Sequence, residues 1–200
     1  DAEAYYTYVT ASEKKDNELR ELLNFLTINH TYFFRDDLQF KALREKVVPE
    51  IIERKKKERR NPGEKPRIRI WSAGCSTGEE PYSIAMVVSD VLWNIKEWDI
   101  EIYATDVSPQ VLASARNGVY GRNSMNFVDT VTLKRYFTEY ENGAGKNYAL
   151  HDSIKKMVSF GYLNLMDDNF PIGLDIIFCR NVVIYFELKT TIKIINKFHS

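Results

Sequence analysis

Ile70-Trp71-Ser72-Ala73-Gly74-Cys75-Ser76-Thr77-Gly78-Glu79-Glu80-Pro81 decides the fold class of this chain. It reads as a buried strand, a turn of small residues, and a helix that opens at a proline. Proline is well tolerated at the first helical position, which predicts a helix from Pro81 to about Trp93. Ile84, Val87, Val88 and Val91 give that helix a buried face. A second strand, Ile100-Glu101-Ile102-Tyr103-Ala104-Thr105-Asp106, precedes a second helix from Pro109 to Arg116. Ser108 is its N-cap and Gly118 its C-terminal stop. Strands alternating with helices predict an α/β fold, a parallel sheet with right-handed crossovers and helices on both faces.

Working downstream, residues 130–165 break the rhythm. Leu133 to Tyr140 reads as extended, Asn142-Gly143-Ala144-Gly145 as a turn, and Tyr148 to Leu150 as extended again. The expectation is a small antiparallel insertion that leads back to a main-sheet strand over Met157 to Leu165. Asp175 to Val183 reads as a nearly continuous apolar strand. A helix with Ile192, Ile195 and Phe198 on one side follows, and the sequence stops at Ser200. Four candidate strands for the main sheet are few for this class. Either the sheet is truncated or the fold is smaller than its relatives.

Upstream, Leu19, Leu22, Leu23 and Leu26 recur at helical spacing, and residues 1–28 read as the end of a helical segment. Thr31 is placed to cap a helix that carries Phe34 and Arg35. Phe40, Leu43, Val47 and Ile51 continue an apolar face, and Pro49 is expected to kink that helix or start a new one. The run Glu53-Arg54-Lys55-Lys56-Lys57-Glu58-Arg59-Arg60 reads as a solvated helix end whose cations complement the helix dipole.

The 200 residues allow one main domain with an accessory element. Lys plus Arg and Asp plus Glu both number 28, so no global attraction to nucleic acid is indicated. No apolar run is long enough to span a bilayer, and no signal-peptide pattern opens the sequence. Cys75 and Cys179 do not make a disulfide scaffold, so a reducing cytoplasm is the simplest compartment. Cys179 reads as a buried structural thiol. His30, His151 and His199 are scattered without metal-ligand spacing, and no metal is expected.

The turn chemistry narrows the ligand. Gly74, Ser76 and Gly78 let a backbone approach a bound molecule closely. The order Gly74-Cys75-Ser76-Thr77-Gly78 is not the G-x-G-x-x-G of a dinucleotide site. Glu79 and Glu80 stand where a phosphate loop needs lysine, and two carboxylates repel a triphosphate. They suit a cation, and S-adenosylmethionine carries both an ammonium and a sulfonium. Favouring a helix N-terminus accounts for one of them; Glu80 is taken as facing the ligand. Asp106, at a strand end, is placed to accept hydrogen bonds from ribose hydroxyls. Arg35 is suited to a bidentate grip on a carboxylate, with a surface ion pair as the competing reading. Arg180 and Asn181 end a buried strand, a position that belongs to a site more often than to a core. The Asn-Pro-Pro-Tyr of exocyclic-amine methylation is absent there, which speaks against nucleic acid as substrate.

These segments resemble the chemotaxis receptor methyltransferases, the CheR family. The resemblance runs through Asn29-His30-Thr31-Tyr32-Phe33-Phe34-Arg35 and Trp71 to Ser83. It continues through Ala104-Thr105-Asp106, Asn117-Gly118-Val119-Tyr120, Asn164-Leu165, and Ile177 to Phe186. It implies a Rossmann-like methyltransferase domain over 29–200 that moves a methyl group from S-adenosylmethionine to glutamate side chains of chemoreceptors. A cofactor-binding signalling module without turnover is the alternative. The resemblance implies cofactor contacts at Asn29, Thr31, Arg35, Gly74, Glu80, Asp106, Asn164, Leu165, Arg180 and Asn181. It puts Arg35 and Tyr185 near the transferred methyl and the incoming glutamate. The insertion around 132–160 resembles the family's β-subdomain, which in some members takes a receptor tail peptide along its edge, with Gly143-Ala144-Gly145 at the tip. Residues 1–28 would be the remnant of an N-terminal helical domain, and strands after the final helix would be missing.

Overall fold

The computed structural model describes residues 2–11, 31–58, 61, 63–143, 145–167 and 169–198. The chain forms two compact units, 1–30 and 31–200. In the first, helix α1 spans Ala2–Ala11. Leu19, Leu22, Leu23, Leu26, Asn29 and His30 lie outside the described residues.

The second unit is built on a four-stranded parallel sheet in the order β6-β2-β1-β7. Strand β1 is Arg67–Ala73, β2 Asp99–Asp106, β6 Val158–Tyr162 and β7 Ile176–Phe178. Ile70 lies opposite Ile102 on one side and Ile176 on the other. The two-residue side-chain period sends Ile68 and Ile70 into one core, and Trp71 and Ala73 into a second. Both faces are therefore covered, as parallel sheets require. Trp71 is fully buried, its indole N–H bonded to Thr105 Oγ1 at 2.9 Å and its ring edge-on to Phe170 and Phe198.

Helix α4, Glu79–Val91, lies against the first core. It starts two residues before the expected Pro81 and stops before Trp93. Proline at its third position needs no intrahelical N–H bond either, so Pro81 does not mark the start. Helix α5, Pro109–Asn117, follows the sequence: the Ser108 side chain accepts from Val111 N, and Gly118 ends it at φ 66°.

Between α1 and β1, helices α2 (Asp37–Ala42) and α3 (Val48–Glu58) join through a π-helical turn, Leu43–Val47. The expected disturbance at Pro49 is this wide turn. Its extra residue gives room for a proline ring that would clash with the carbonyl four residues back. Thr31 to Arg35 is not helical, against expectation; α2 starts only after Asp36. Thr31 and Arg35 therefore share no helical face.

The insertion is a three-stranded antiparallel sheet, β3-β5-β4, with β3 Val119–Gly121, β4 Phe137–Asn142 and β5 Gly145–Leu150. Of the segment expected to be extended, Leu133 to Tyr140, the part from Phe137 is strand β4, whereas Leu133 to Tyr136 belong to a helix, α6 (Thr130–Tyr136). Asp129 decides this. Its carboxylate accepts from Val131 N and Thr132 N at 2.8 and 2.9 Å, an N-cap that outweighs the β-branched residues behind it. A short helix α7, Asp152–Lys155, leads into β6.

After β7 the chain turns sooner than expected. The strand is three residues long, and Val183–Tyr185 is a 3₁₀ turn. Asn181 at φ 56° breaks the extended run, and asparagine tolerates that left-handed backbone. Helix α8, Leu188–Lys197, buries Ile194 against Trp71 and Leu165. Ile192 and Ile195, read as sharing one side of this helix with Phe198, are 49% and 44% exposed. No helix among the described residues is long and apolar enough to cross a membrane.

Candidate active site

The sheet reverses its strand order at β1, between β2 on one side and β7 on the other. Ligands of open α/β sheets bind outside the carboxyl ends of strands at such a reversal. The turn after β1 sits there. Gly74 N and Cys75 N both donate to Thr105 O, at 2.8 and 2.9 Å, fixing the turn to the end of β2. Gly74 has φ 80°, and a Cβ on it would lie 2.3 Å from Val182 Cγ2. Glycine is thus required twice over: by backbone conformation and by the close pass of the chain after β7. Gly78 caps α4 at φ 95°, and a Cβ there would meet Ala115 and the Tyr120 hydroxyl.

Asp106 ends β2. Its Oδ2 accepts from Ser76 N at 2.9 Å and its Oδ1 from Ser108 N at 3.0 Å. Each carboxylate oxygen keeps a free acceptor position, because a carboxylate has about four lone-pair sites. The acid is therefore oriented by backbone before any ligand arrives.

Glu79 and Glu80 part ways. Glu79 is 2% exposed and accepts from Thr77 Oγ1 at 2.7 Å and Ser124 Oγ at 3.0 Å. Burial raises its carboxyl above the ordinary value, against those two hydrogen bonds. It is a structural acid. Glu80 accepts from Ser72 Oγ at 2.7 Å and from Arg180 Nη1 at 3.2 Å. Burial raises its carboxyl as well, while Ser72, Arg180 and the charge of Arg35 pull it down.

Arg180 draws the separate segments together. Its Nη2 donates to the Arg35 carbonyl at 2.7 Å and to Asp36 at 2.5 Å, and its guanidinium lies 5.5 Å from the Phe40 ring. Its Nε–H is buried without a hydrogen-bond partner. A buried charged donor left unpaired is costly, so this N–H fits an anionic or carbonyl acceptor.

The segment that carries Arg35 is held under strain. Phe34 and Asp36 have φ 56° and 60°, and such non-glycine conformations cost about 1–3 kcal/mol each. They persist because Phe33 is fully buried, Phe33 N donates to Ser124 O, and Phe34 N donates to Ser83 Oγ, both at 3.0 Å.

Among the expected site residues, Arg35, Glu80, Arg180, Gly74 and Asp106 converge on the carboxyl end of β1 and its neighbours. Asn181 follows Arg180 in the same turn. Asn164 and Leu165 come just after Leu163, whose N donates to Asp106 O. The Asn164 side chain accepts from Met166 N, and Leu165 is packed in the second core, so only its backbone is offered to a ligand. Tyr185 lies in the 3₁₀ turn with its ring 66% exposed. Thr31 is half-buried at the start of the described segment, and Asn29 lies outside it. Cys179, expected to be buried, is half-buried against the second core. Sequence reasoning missed Ser72 and Asp36, which hold Glu80 and Arg180 in place. A lone serine in the apolar strand Ile68-Arg69-Ile70-Trp71-Ser72-Ala73 was the available signal for the first.

A sheet-end carboxylate, a glycine turn and an unpaired guanidinium N–H together fit a nucleoside with a charged amino-acid tail. Residues 29–200 match the family described as "CheR methyltransferase, SAM binding domain". The chain is 40% identical over 194 residues to a "Probable chemotaxis protein methyltransferase" of Rhizobium etli, covering 96% of this chain and 70% of that protein. It is 38% identical over 198 residues to a "Chemotaxis protein methyltransferase" of Borreliella burgdorferi, covering 96% and 67%. It is 34% identical over 200 residues to the "Chemotaxis protein methyltransferase" of Escherichia coli, covering 97% and 63%. The chain thus spans about two thirds of the length of these relatives. By the family match over 29–200 and by these identities, the chain belongs to the CheR methyltransferases through their S-adenosylmethionine-binding domain.

Proposed function

We propose that this chain carries the catalytic domain of a protein-glutamate O-methyltransferase. It would esterify glutamate side chains on the cytoplasmic helices of chemotaxis receptors. The observation that carries the reading is the Arg180 cluster. One guanidinium joins Glu80 of the cofactor turn to the backbone of Arg35, and its Nε–H is left for a ligand.

Asp106 would hold the ribose diol with its remaining acceptor positions. Gly74, Asn164 and the Leu165 backbone would line the nucleoside. Arg180 Nε would meet the α-carboxylate, with Glu80 balancing the ammonium; Asn29, Thr31, Arg35 and Asn181 complete the set implied by family resemblance. Bound S-adenosylmethionine supplies an electrophilic methyl on a sulfonium that leaves as a neutral thioether. No general base is needed, because a receptor glutamate with an ordinary carboxyl near pH 4.3 is already ionised at neutral pH. The protein's tasks are alignment and exclusion of water. Arg35 orients the incoming carboxylate, and exposed Tyr185 lines its approach. A full ion pair would quench the nucleophile, so Arg35 serves best as a positioning contact. The outer edge of β4 is where a receptor tail peptide would add as a further strand.

The test uses the protein with receptor cytoplasmic domain and methyl-labelled cofactor. Base-labile label on receptor glutamates is the expected result. Tight binding of S-adenosylhomocysteine with no label transferred would favour a signalling module without turnover, and label on RNA would overturn the substrate class.

A further inference from the structure

One large aromatic close to the candidate site has no part in the mechanism above. Phe127 follows the 3₁₀ turn Arg122–Met125 and is 63% exposed. Exposure on that scale is no packing role by itself. Its ring nevertheless stacks on Tyr32, with centroids 4.8 Å apart and planes at 28°. The guanidinium of Arg35 in turn lies 6.0 Å from the centroid of the Tyr32 ring. The charge of Arg35 reaches the Glu80 carboxyl. Phe127, Tyr32 and Arg35 thus form a short column that ends at the candidate site.

The column has a rigid base. Phe33 N donates to Ser124 O, and the buried Phe33 ring stands edge-on to Tyr120 and Phe137 at 4.7 and 5.1 Å. The segment that carries Phe127 is therefore bonded to the segment that carries Arg35, three residues before Phe127 and one after Tyr32. Arginine side chains are long and rotamer-rich. An aromatic face held at a fixed height limits where the guanidinium rests, and a flat group stacks well on it.

We propose that Phe127 is a positioning residue for methyl transfer: stacked on Tyr32, it fixes the aromatic platform that sets where Arg35 meets the acceptor carboxylate. The kinetic part rests on the function proposed above; the placement of Arg35 does not.

The experiment uses the full protein and a double-mutant cycle. Phe127→Ala is expected to lower kcat/KM for the receptor substrate about 3- to 10-fold, the scale of one aromatic pair. Phe127→Tyr is expected to restore it. In an Arg35→Ala background, Phe127→Ala is expected to add less than about twofold, because it acts through the missing group. A full, additive loss in that background overturns the proposal. A readout independent of activity is the NMR signal of the Arg35 Nε–H, assigned by its disappearance in Arg35→Lys. It should shift in Phe127→Ala and stay near its original position in Phe127→Tyr. An unmoved signal overturns the placement. A moved signal with unchanged kcat/KM overturns the role in the reaction. Should the unaltered protein transfer no methyl group, the function reading fails, and the signal alone decides whether Phe127 places Arg35.

Discussion

Gly74→Ala tests the seam between the turn after β1 and the turn after β7. Two costs arise at once. The residue sits at φ 80°, and a left-handed backbone costs a non-glycine residue about 1–2 kcal/mol. The new Cβ would lie 2.3 Å from Val182 Cγ2 and 3.4 Å from Val182 Cβ. A valine has no long arm to swing aside, and its χ1 is stiff, so the turn 180–182 must shift; overpacking of this kind costs about 1–3 kcal/mol. Together the loss is about 2–5 kcal/mol, taken as about 3.5 kcal/mol at the midpoint. For a chain of this length that lowers the Tm by roughly 7–14 °C. The shift also moves Arg180, so affinity for S-adenosylhomocysteine should fall in parallel. Calorimetry measures both. Adding Val182→Ala should recover the packing share and leave the backbone share. A Gly74→Ala protein with unchanged Tm and unchanged affinity would refute the contact, and a double variant no better than the single would refute the division.

Asp106→Asn leaves one acceptor oxygen for two N–H donors, Ser76 and Ser108. It should weaken S-adenosylhomocysteine binding about 10- to 100-fold, with undiminished affinity by calorimetry as the refuting result. Asp90 accepts from Arg44, Arg135 and Tyr136. Burial would raise its carboxyl, but those hydrogen bonds outweigh burial and hold it below its ordinary value of 3.8. Its contribution to stability is therefore complete above that value and is lost as pH falls through the lower folded value. Asp90→Asn should be less stable at pH 7 and lose less between pH 5 and 3, read from urea midpoints; parallel losses would refute this. Glu79 and Glu80, held above 4.5, act with the opposite sign and favour the folded state below that pH. Burial, then the nearby Glu80, pushes the Cys179 thiol up to about 11, and burial raises Cys75 as well. At pH 8 about one Cys179 in a thousand is thiolate, so native-state alkylation by iodoacetamide should be slow and rise about tenfold per pH unit. Rapid stoichiometric labelling at pH 7.5 would refute it.

The parallel sheet was legible because β1 and β2 carry period-two apolar patterns that end in a glycine turn and an acid. These are local signals. The helix over Thr130–Tyr136 was not legible, since Val131 and Thr132 favour strands and only the Asp129 cap reverses the choice. The early end of β7 depends on Asn181 taking a left-handed backbone, which apolar patterning does not record. At the site, the strand ends pointed to Asp106 and Arg180. The irregular path of residues 31–36 did not emerge, because it is imposed by tertiary bonds to Ser83 and Ser124. The sequence did separate Glu79 from Glu80, but it did not show the cause of the split: Glu79 is held by a serine 45 residues away.

Ser124 has a wider meaning. Its carbonyl takes Phe33 N and its hydroxyl serves Glu79, while the Asp90 carboxylate grips Arg135 and Tyr136 at the far end of α6. A plate fixed by one pin can still swivel; a plate fixed by two cannot. The accessory sheet is pinned twice to the elements that frame the candidate site. A strand added along the outer border of β4 would therefore bear on a sheet fastened at two places to the body that carries Arg35.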